Sequence, residues 1–324
     1  IIIAMAVAVL TILSGIFGLP MLKRLNVGQT VRDDGPASHF KKSGTPTFGG
    51  LFFLLPLTLL AVAALVFDAS LRNLAVLVLL MLTFALVGFL DDYIKVRISK
   101  KGLSVRQKIL LLGIFSILFA LYYLFLAPEP PFLLIPLSGE KLLISGWLKL
   151  PYGILLVLYL FFGCNAVNLT DGVDGLASSV TLVYAASLAA AALLVAPVMP
   201  AARLVGLLSA AMIGCCAGFL VFNRHPARVF MGDTGSQALG AGVAGAALLL
   251  GAPWLFIPMG IVYLAEAFSV IIQVAYFKKT GGKRIFRMSP LHHHYELGGW
   301  PENKIVLVFS LTGLAGGLLG LLLL

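Results

Sequence analysis

Residues 73–90 read NLAVLVLLMLTFALVGFL and run without a break into Asp91-Asp92-Tyr93-Ile94-Lys95. Eighteen consecutive uncharged residues come close to the roughly 20 that a helix needs to cross the bilayer hydrocarbon. Lipid offers backbone N–H and C=O groups no partner, so such a run must satisfy them internally, as a helix does. The abrupt change at Asp91 then marks a membrane surface. Working outward, nine further apolar segments cover 1–22, 48–67, 109–127, 151–164, 177–196, 203–222, 236–252, 254–277 and 305–324. The segment 151–164 is short and ends in a polar stretch, and Ala252-Pro253 is a tight reversal between two others. The expected fold is an all-α polytopic integral membrane protein with ten transmembrane helices, a single domain over 1–324.

Composition agrees. Of 324 residues, 60% are hydrophobic and 11% charged, against about 25% charged in a soluble domain. That excludes an ordinary soluble enzyme and a disordered chain. The net charge of +10 comes without a basic stripe interleaved with aromatics, so nucleic acid is not an expected partner. Cys164, Cys215 and Cys216 lie inside apolar runs and read as reduced packing residues. The run at Ile1 has no basic leader or cleavage site and reads as a span rather than a signal peptide.

Lys and Arg give the orientation. Loops 23–47, 91–108, 165–176, 223–235 and 278–304 hold 19 of the 23, and only Arg72, Lys141, Lys149 and Arg203 lie on the other side. Those five loops are expected in the cytoplasm, with both termini outside (periplasmic). In the outer loop 128–150, Ser138-Gly139-Glu140 between apolar stretches predicts a small hairpin.

Nine of the 13 acids also fall in the cytoplasmic loops, which the positive-inside rule does not require. Asp91 and Lys95 share a face if the helix continues one turn. Adjacent carboxylates there can hold a divalent cation or a proton and the lysine can meet a phosphate, or the stretch is a polar helix end with a local ion pair. Residues 165–175 pack Asn165, Asn168, Asp171, Gly172, Asp174 and Gly175 into a segment suited to a ring edge, sugar hydroxyls or Mg2+, or simply to an Asx-rich turn. Asp233, between Gly232 and Thr234-Gly235, can offer a carboxylate to a metal at a helix entry, while Asp233 or Thr234 also suits an N-cap. Lys42, Thr45 and Thr47 stand at the glycine-rich entry Phe48-Gly49-Gly50, suited to phosphate but without P-loop spacing. His292, His293 and His294 are consecutive, so they cannot all face one ion, and zinc spacing is absent. Glu266 lies alone in the ninth apolar segment and receives no site role.

Taken in order, these motifs resemble the bacterial phospho-N-acetylmuramoyl-pentapeptide-transferases, in the polyprenyl-phosphate N-acetylhexosamine-1-phosphate transferase superfamily. The resemblance rests on Arg32-Asp33-Asp34-Gly35-Pro36 with Gly44-Thr45-Pro46-Thr47, Asp91-Asp92-Tyr93-Ile94-Lys95, residues 165–175, residues 230–236, and residues 290–296. The triple histidine with Tyr295-Glu296 favours the muramoyl-pentapeptide branch over the N-acetylglucosamine-1-phosphate one. Phe48 departs from the family, which more often has Met there.

The resemblance implies a transfer from UDP-N-acetylmuramoyl-pentapeptide to undecaprenyl phosphate at the inner membrane, releasing UMP. It implies Mg2+ as cofactor, an active site facing the cytoplasm, and a homodimer. Asp233 is the expected metal ligand, Asp91 and Asp92 would bind or deprotonate the lipid phosphate, and Lys95 and His292 would stabilise phosphate charge. Substrate-binding positions carried over are Lys42, Thr47, Asn165, Asn168, Asp171, Gly172, Asp174 and Phe230, with Asn223, Gln273 and His293 as weaker ones. A covalent route through Asp233 or Asp92 stays open, as does the more remote reading as a secondary transporter. Gly313, Gly316, Gly317 and Gly320 permit close helix approach in the last span, and Pro258 with Gly260 suggests a kinked wall for a lipid tail.

Overall fold

A computed structural model describes residues 1–25, 27–28, 42, 44–197, 199 and 201–324; the motif at 32–36 lies outside the described residues. Along the chain run α1 (Ile2–Arg24), α2 (Leu51–Phe67), α3 (Arg72–Arg97), α4 (Val105–Phe125), β1 (Phe132–Leu134), β2 (Lys141–Leu143), α5 (Lys149–Thr170) and α6 (Leu176–Val195). They are followed by α7 (Ala201–Asn223), α8 (Gly232–Leu249), α9 (Phe256–Met259), α10 (Ile261–Lys279), α11 (Leu291–Glu296) and α12 (Glu302–Leu322). Eight helices among the described residues are long and apolar enough to cross a membrane: α1, α3 to α7, α10 and α12. The chain is therefore an all-helical, multi-pass membrane protein.

Two expected spans fall short of that measure, for different reasons. α2 has 17 residues. α8 opens on a polar turn and is rich in Gly and Ala, and its residues from Thr234 to Leu249 are all buried. Its solvent is other helices, chiefly α3 and α5, and close approach replaces hydropathy. A Cβ on Gly240 would stand 2.6 Å from the backbone of Cys164 in α5, and one on Gly242 2.7 Å from Met81 in α3.

Elsewhere the elements differ from the sequence reading in ways that polar side chains explain. The short segment 151–164 is the middle of a 22-residue helix. Asn165 donates to the Phe161 carbonyl at 2.7 Å and Thr170 to that of Ala166 at 2.9 Å, so these polar groups are satisfied inside the helix and need no loop. The ninth segment breaks outright at Gly260, between α9 and α10. The glycines of α12 face inward: Cβ atoms on Gly316, Gly317 and Gly320 would collide with Pro258, Ser187 and Met259. That stripe is an internal packing face against α9 and α6, and is not available to a second subunit.

β1 and β2 form the expected antiparallel hairpin, with Phe132 opposite Leu143. It covers the end of the bundle where α8 finishes, through Leu134 N–H to the Gly251 carbonyl (2.7 Å) and Trp254 Nε1–H to the Leu134 carbonyl (2.7 Å). Leu55, Leu59, Leu65, Ile109, Leu118, Leu311 and Leu318 point outward as an exposed apolar belt. The opposite end, where α8 begins, carries Asp91, Asp92, Asp171, Asp174 and Asp233. The cysteines are free and buried.

Candidate active site

α3 does continue past the apolar run, and its 3.6-residue period brings Lys95 Nζ to 2.6 Å from the Asp91 carboxylate. α4 starts with a capping box: Ser104 Oγ accepts from the Gln107 N–H and Gln107 Oε1 accepts from the Ser104 N–H. That start holds Lys108, one turn in, at 2.8 Å from Asp91 and 2.9 Å from Asp233. Lys95 also reaches Asp233, at 3.1 Å. Asp91, fully buried, further accepts the Leu103 N–H at 2.6 Å.

Asp92 does something different from its neighbour. It accepts the N–H groups of Asp233 (3.1 Å) and Thr234 (2.9 Å) and the Thr234 hydroxyl (2.8 Å). A carboxylate on α3 thus caps the N-terminus of α8, where orphan donors and the helix dipole favour an anion. The approach is possible because Gly88 and Gly232 lack Cβ atoms: on Gly88 it would collide with the Asp233 carbonyl, on Gly232 with Asp92. Gly232 also has a φ of +72°, which favours glycine. Phe48-Gly49-Gly50 dock on the same turn, with the Gly49 and Gly50 N–H groups donating to the carbonyls of Phe230 and Met231.

Asp233 emerges from this clamp with its Oδ1 accepting from Asn168 (3.1 Å) and its side chain 16% exposed, against 0% for Asp91. Burial would raise its pKa, but the ammonium groups of Lys95 and Lys108 outweigh that and hold it well below the usual carboxylate range. Oxygens of Asp91, Asp92 and Asp233 lie within 4.8 Å of one another, close enough to share one ion. An all-oxygen donor set suits a hard cation such as Mg2+. Asp171, at the C-terminus of α5, is pushed up to about 8 by burial and by the negative charges of Asp233, Asp92 and Asp174.

A second polar group lies at the same end. Lys42 bridges Asp174 (2.8 Å) and Glu302 (2.7 Å), and Asp174 also meets His225 Nδ1 (3.1 Å) and the Ala227 N–H (3.0 Å). Asn223 braces this turn by accepting the Gly175 N–H and donating to the Val229 carbonyl. A cavity of about 650 Å³ lined by Arg224, His225, Arg228 and Asn303 adjoins it. Asp174, His225 and Glu302 could also hold a cation, but Lys42 already supplies one.

The sequence pattern of glycosyl transferase family 4 matches residues 74–251, which span α3 to the end of α8. Phospho-N-acetylmuramoyl-pentapeptide-transferase of Acetivibrio thermocellus is 46% identical over 293 residues, 90% of this chain and 85% of that protein. The proteins of the same name from Carboxydothermus hydrogenoformans and Listeria innocua are 47% and 42% identical, covering 91% and 96% of this chain and 90% and 94% of their own. The chain belongs to the phospho-N-acetylmuramoyl-pentapeptide-transferase family.

Of the positions that the phospho-N-acetylmuramoyl-pentapeptide-transferase resemblance singled out, Asp91, Asp92, Lys95, Asn168 and Asp233 form one cluster, and Lys42, Asp174 and Asn223 belong to the second. The three histidines diverge from the single turn of α11: His292 to Glu266, His293 to Glu296, and His294 to the Arg287 N–H. Gln273 is engaged as a staple, its oxygen accepting from Ile285 and Phe286 and its amide donating to Phe286. Thr47 is buried beside Gly232, and Phe230 contributes its backbone to the docking of residues 46–49. Sequence reasoning missed Lys108, His225 and Glu302. Lys108 was legible only as a topological charge, although the Ser104-x-x-Gln107 box fixes its place.

Proposed function

We propose that the protein transfers phospho-N-acetylmuramoyl-pentapeptide from UDP to undecaprenyl phosphate at the cytoplasmic face of the bacterial inner membrane. One oxygen of the lipid phosphate attacks the sugar-linked phosphorus, the bond to the α-phosphate breaks, and UMP leaves with that bond's oxygen. The observation that carries this reading is the three-carboxylate, two-lysine cluster of Asp91, Asp92, Asp233, Lys95 and Lys108 at the charged end of a membrane bundle. A substrate with two phosphates and an acceptor with one need counter-charge at the headgroup level more than a base, because a phosphomonoester with a second pKa near ~6 is already largely dianionic.

Asp233, with Asp91 beside it, would hold Mg2+, which supplies charge neutralisation to the diphosphate when bound. Lys95 and Lys108 keep Asp233 ionised and can turn to substrate phosphate. Asp91 steers the lipid phosphate through the lysines, and Asp92 holds the α8 entry against α3. We assign Lys42, Thr47, Asn165, Asn168, Asp171, Gly172, Asp174, Asn223, Phe230, Gln273 and His293 to the uridine and the sugar, and His292 to contact with the substrate through its ring. The whole chain, 1–324, serves as one catalytic domain of ten spans with both termini periplasmic. A homodimer would use the exposed apolar faces, since the α12 glycines are covered.

Purified protein given undecaprenyl phosphate with either UDP-N-acetylmuramoyl-pentapeptide or UDP-N-acetylglucosamine tests this by UMP release. Release with the second donor alone would move the chain to the other branch. Exchange of labelled UMP into the UDP-sugar without lipid phosphate would establish a covalent enzyme intermediate in place of direct attack.

A further inference from the structure

Glu266 sits within α10 with no solvent exposure, in surroundings where a carboxylate is costly unless it is paired. Its partner is His292 of α11. The His292 N–H lies 3.2 and 3.3 Å from the two carboxylate oxygens, and the ring Nδ1 lies 3.1 Å from Oε1. An ionised carboxylate only accepts, so Nδ1 carries its proton in this contact and Nε2 is the ring's remaining nitrogen. Nε2 is buried without a hydrogen-bond partner among the described residues. It is directed at Gly172, where an added Cβ would collide with it.

The ring is thus gripped on one edge and aimed, with the other, at the 165–175 segment, whose Asn168 bonds Asp233. The bare backbone of Gly172 is what leaves room for it. We infer that Glu266 is a positioning residue for the transfer reaction: it fixes the tautomer and direction of His292, so that Nε2 is the atom through which the ring meets the substrate. Gly172 completes the device from the opposite side. No bond to phosphorus forms or breaks at either residue. The inference rests on the transferase reading above and adds to it a role for a buried acid of α10.

The test is steady-state UMP release by the full-length protein, with melting followed alongside. Glu266→Ala should lower kcat about 100-fold with KM for the UDP-sugar within about two-fold, the size expected when one acid–base group loses its alignment. Glu266→Gln, whose amide oxygen still accepts from the His292 N–H and Nδ1–H, should recover most of that loss. In a His292→Ala background, Glu266→Ala should cost nothing more, because it acts through the ring. Gly172→Ala, with Glu266 intact, should reproduce the fall in kcat by displacing the ring. Full additivity in the double variant, or wild-type kcat in a folded Glu266→Ala, overturns the inference. If Glu266→Ala does not fold, Glu266→Gln and Gly172→Ala decide it: wild-type kcat in Gly172→Ala, or a kcat about 100-fold below wild type in folded Glu266→Gln, is equally fatal. A wild-type protein without UMP release would instead sink the functional reading itself.

Discussion

Asp233 is the most exposed carboxylate of its cluster, which is why it is the best placed to bind a cation. Asp91 is enclosed by two ammonium groups and an amide, and Asp92 by three donors of α8. Asp233→Ala should therefore reduce UMP release by at least about 10³-fold while the protein still purifies folded and melts cooperatively. Activity within ten-fold (about 1.4 kcal/mol) of wild type would remove its metal role. Asp171 carries a separate, pH-linked consequence. Its pKa is raised from 3.8 to about 8, so over that interval the folded protein retains a proton that the unfolded chain releases. Its contribution to stability is greatest below the unfolded value and declines as pH rises toward about 8. In melts without metal or nucleotide, Asp171→Asn should flatten the fall in stability between about pH 5 and pH 8; identical slopes for the two proteins would contradict this.

At the scale of elements, the site is a meeting of helix ends, and α8 is the piece that the others locate. Its first turn is capped from α3 by Asp92, and Gly88 lets the two helices touch there. Asp92→Asn replaces one acceptor oxygen with a donor facing an N–H, so about 1–2 kcal/mol of stability should be lost. Turnover should fall with it, since Asp233 rides on that turn; unchanged melting and unchanged kcat together would rule out the capping role. Such contacts also explain what the sequence could and could not disclose. The turn of helix beyond Asp91 was legible because i,i+4 pairing is local, and the hairpin because Ser138-Gly139 is a local turn signal. Asn165 and Asn168 were read as loop because polarity at a span's end suggests one, whereas Asn165 bonds back to the Phe161 carbonyl and Asn168 donates to Asp233 and Ser236 of α8, so both are satisfied within α5. Lys108, Glu302 and Glu266 were invisible as partners: each gains its meaning from a side chain more than 25 positions away.

Across the whole molecule, charge is sorted by end. The loops holding 19 of 23 Lys and Arg residues contain both polar clusters, while Asp68 and Arg203, expected together on the far side, form an ion pair there at 2.7 Å. Under the proposed function, a nucleotide substrate and the positive-inside rule point the same way: the end with Asp233 and Lys42 is expected to face the cytoplasm. Buried Cys164, Cys215 and Cys216 leave a quiet background for testing this with a membrane-impermeant maleimide. Ser138 in the hairpin turn and Lys101 between α3 and α4 are both exposed. Ser138→Cys should be labelled on intact cells after the outer membrane is opened, and Lys101→Cys only once the inner membrane is permeabilised as well. UMP release by both variants should match the parent, which ensures that the labelled protein is the folded one. Labelling of Lys101→Cys from outside, with Ser138→Cys protected, would invert the bundle and leave the acidic cluster on the side where UDP-sugars are absent.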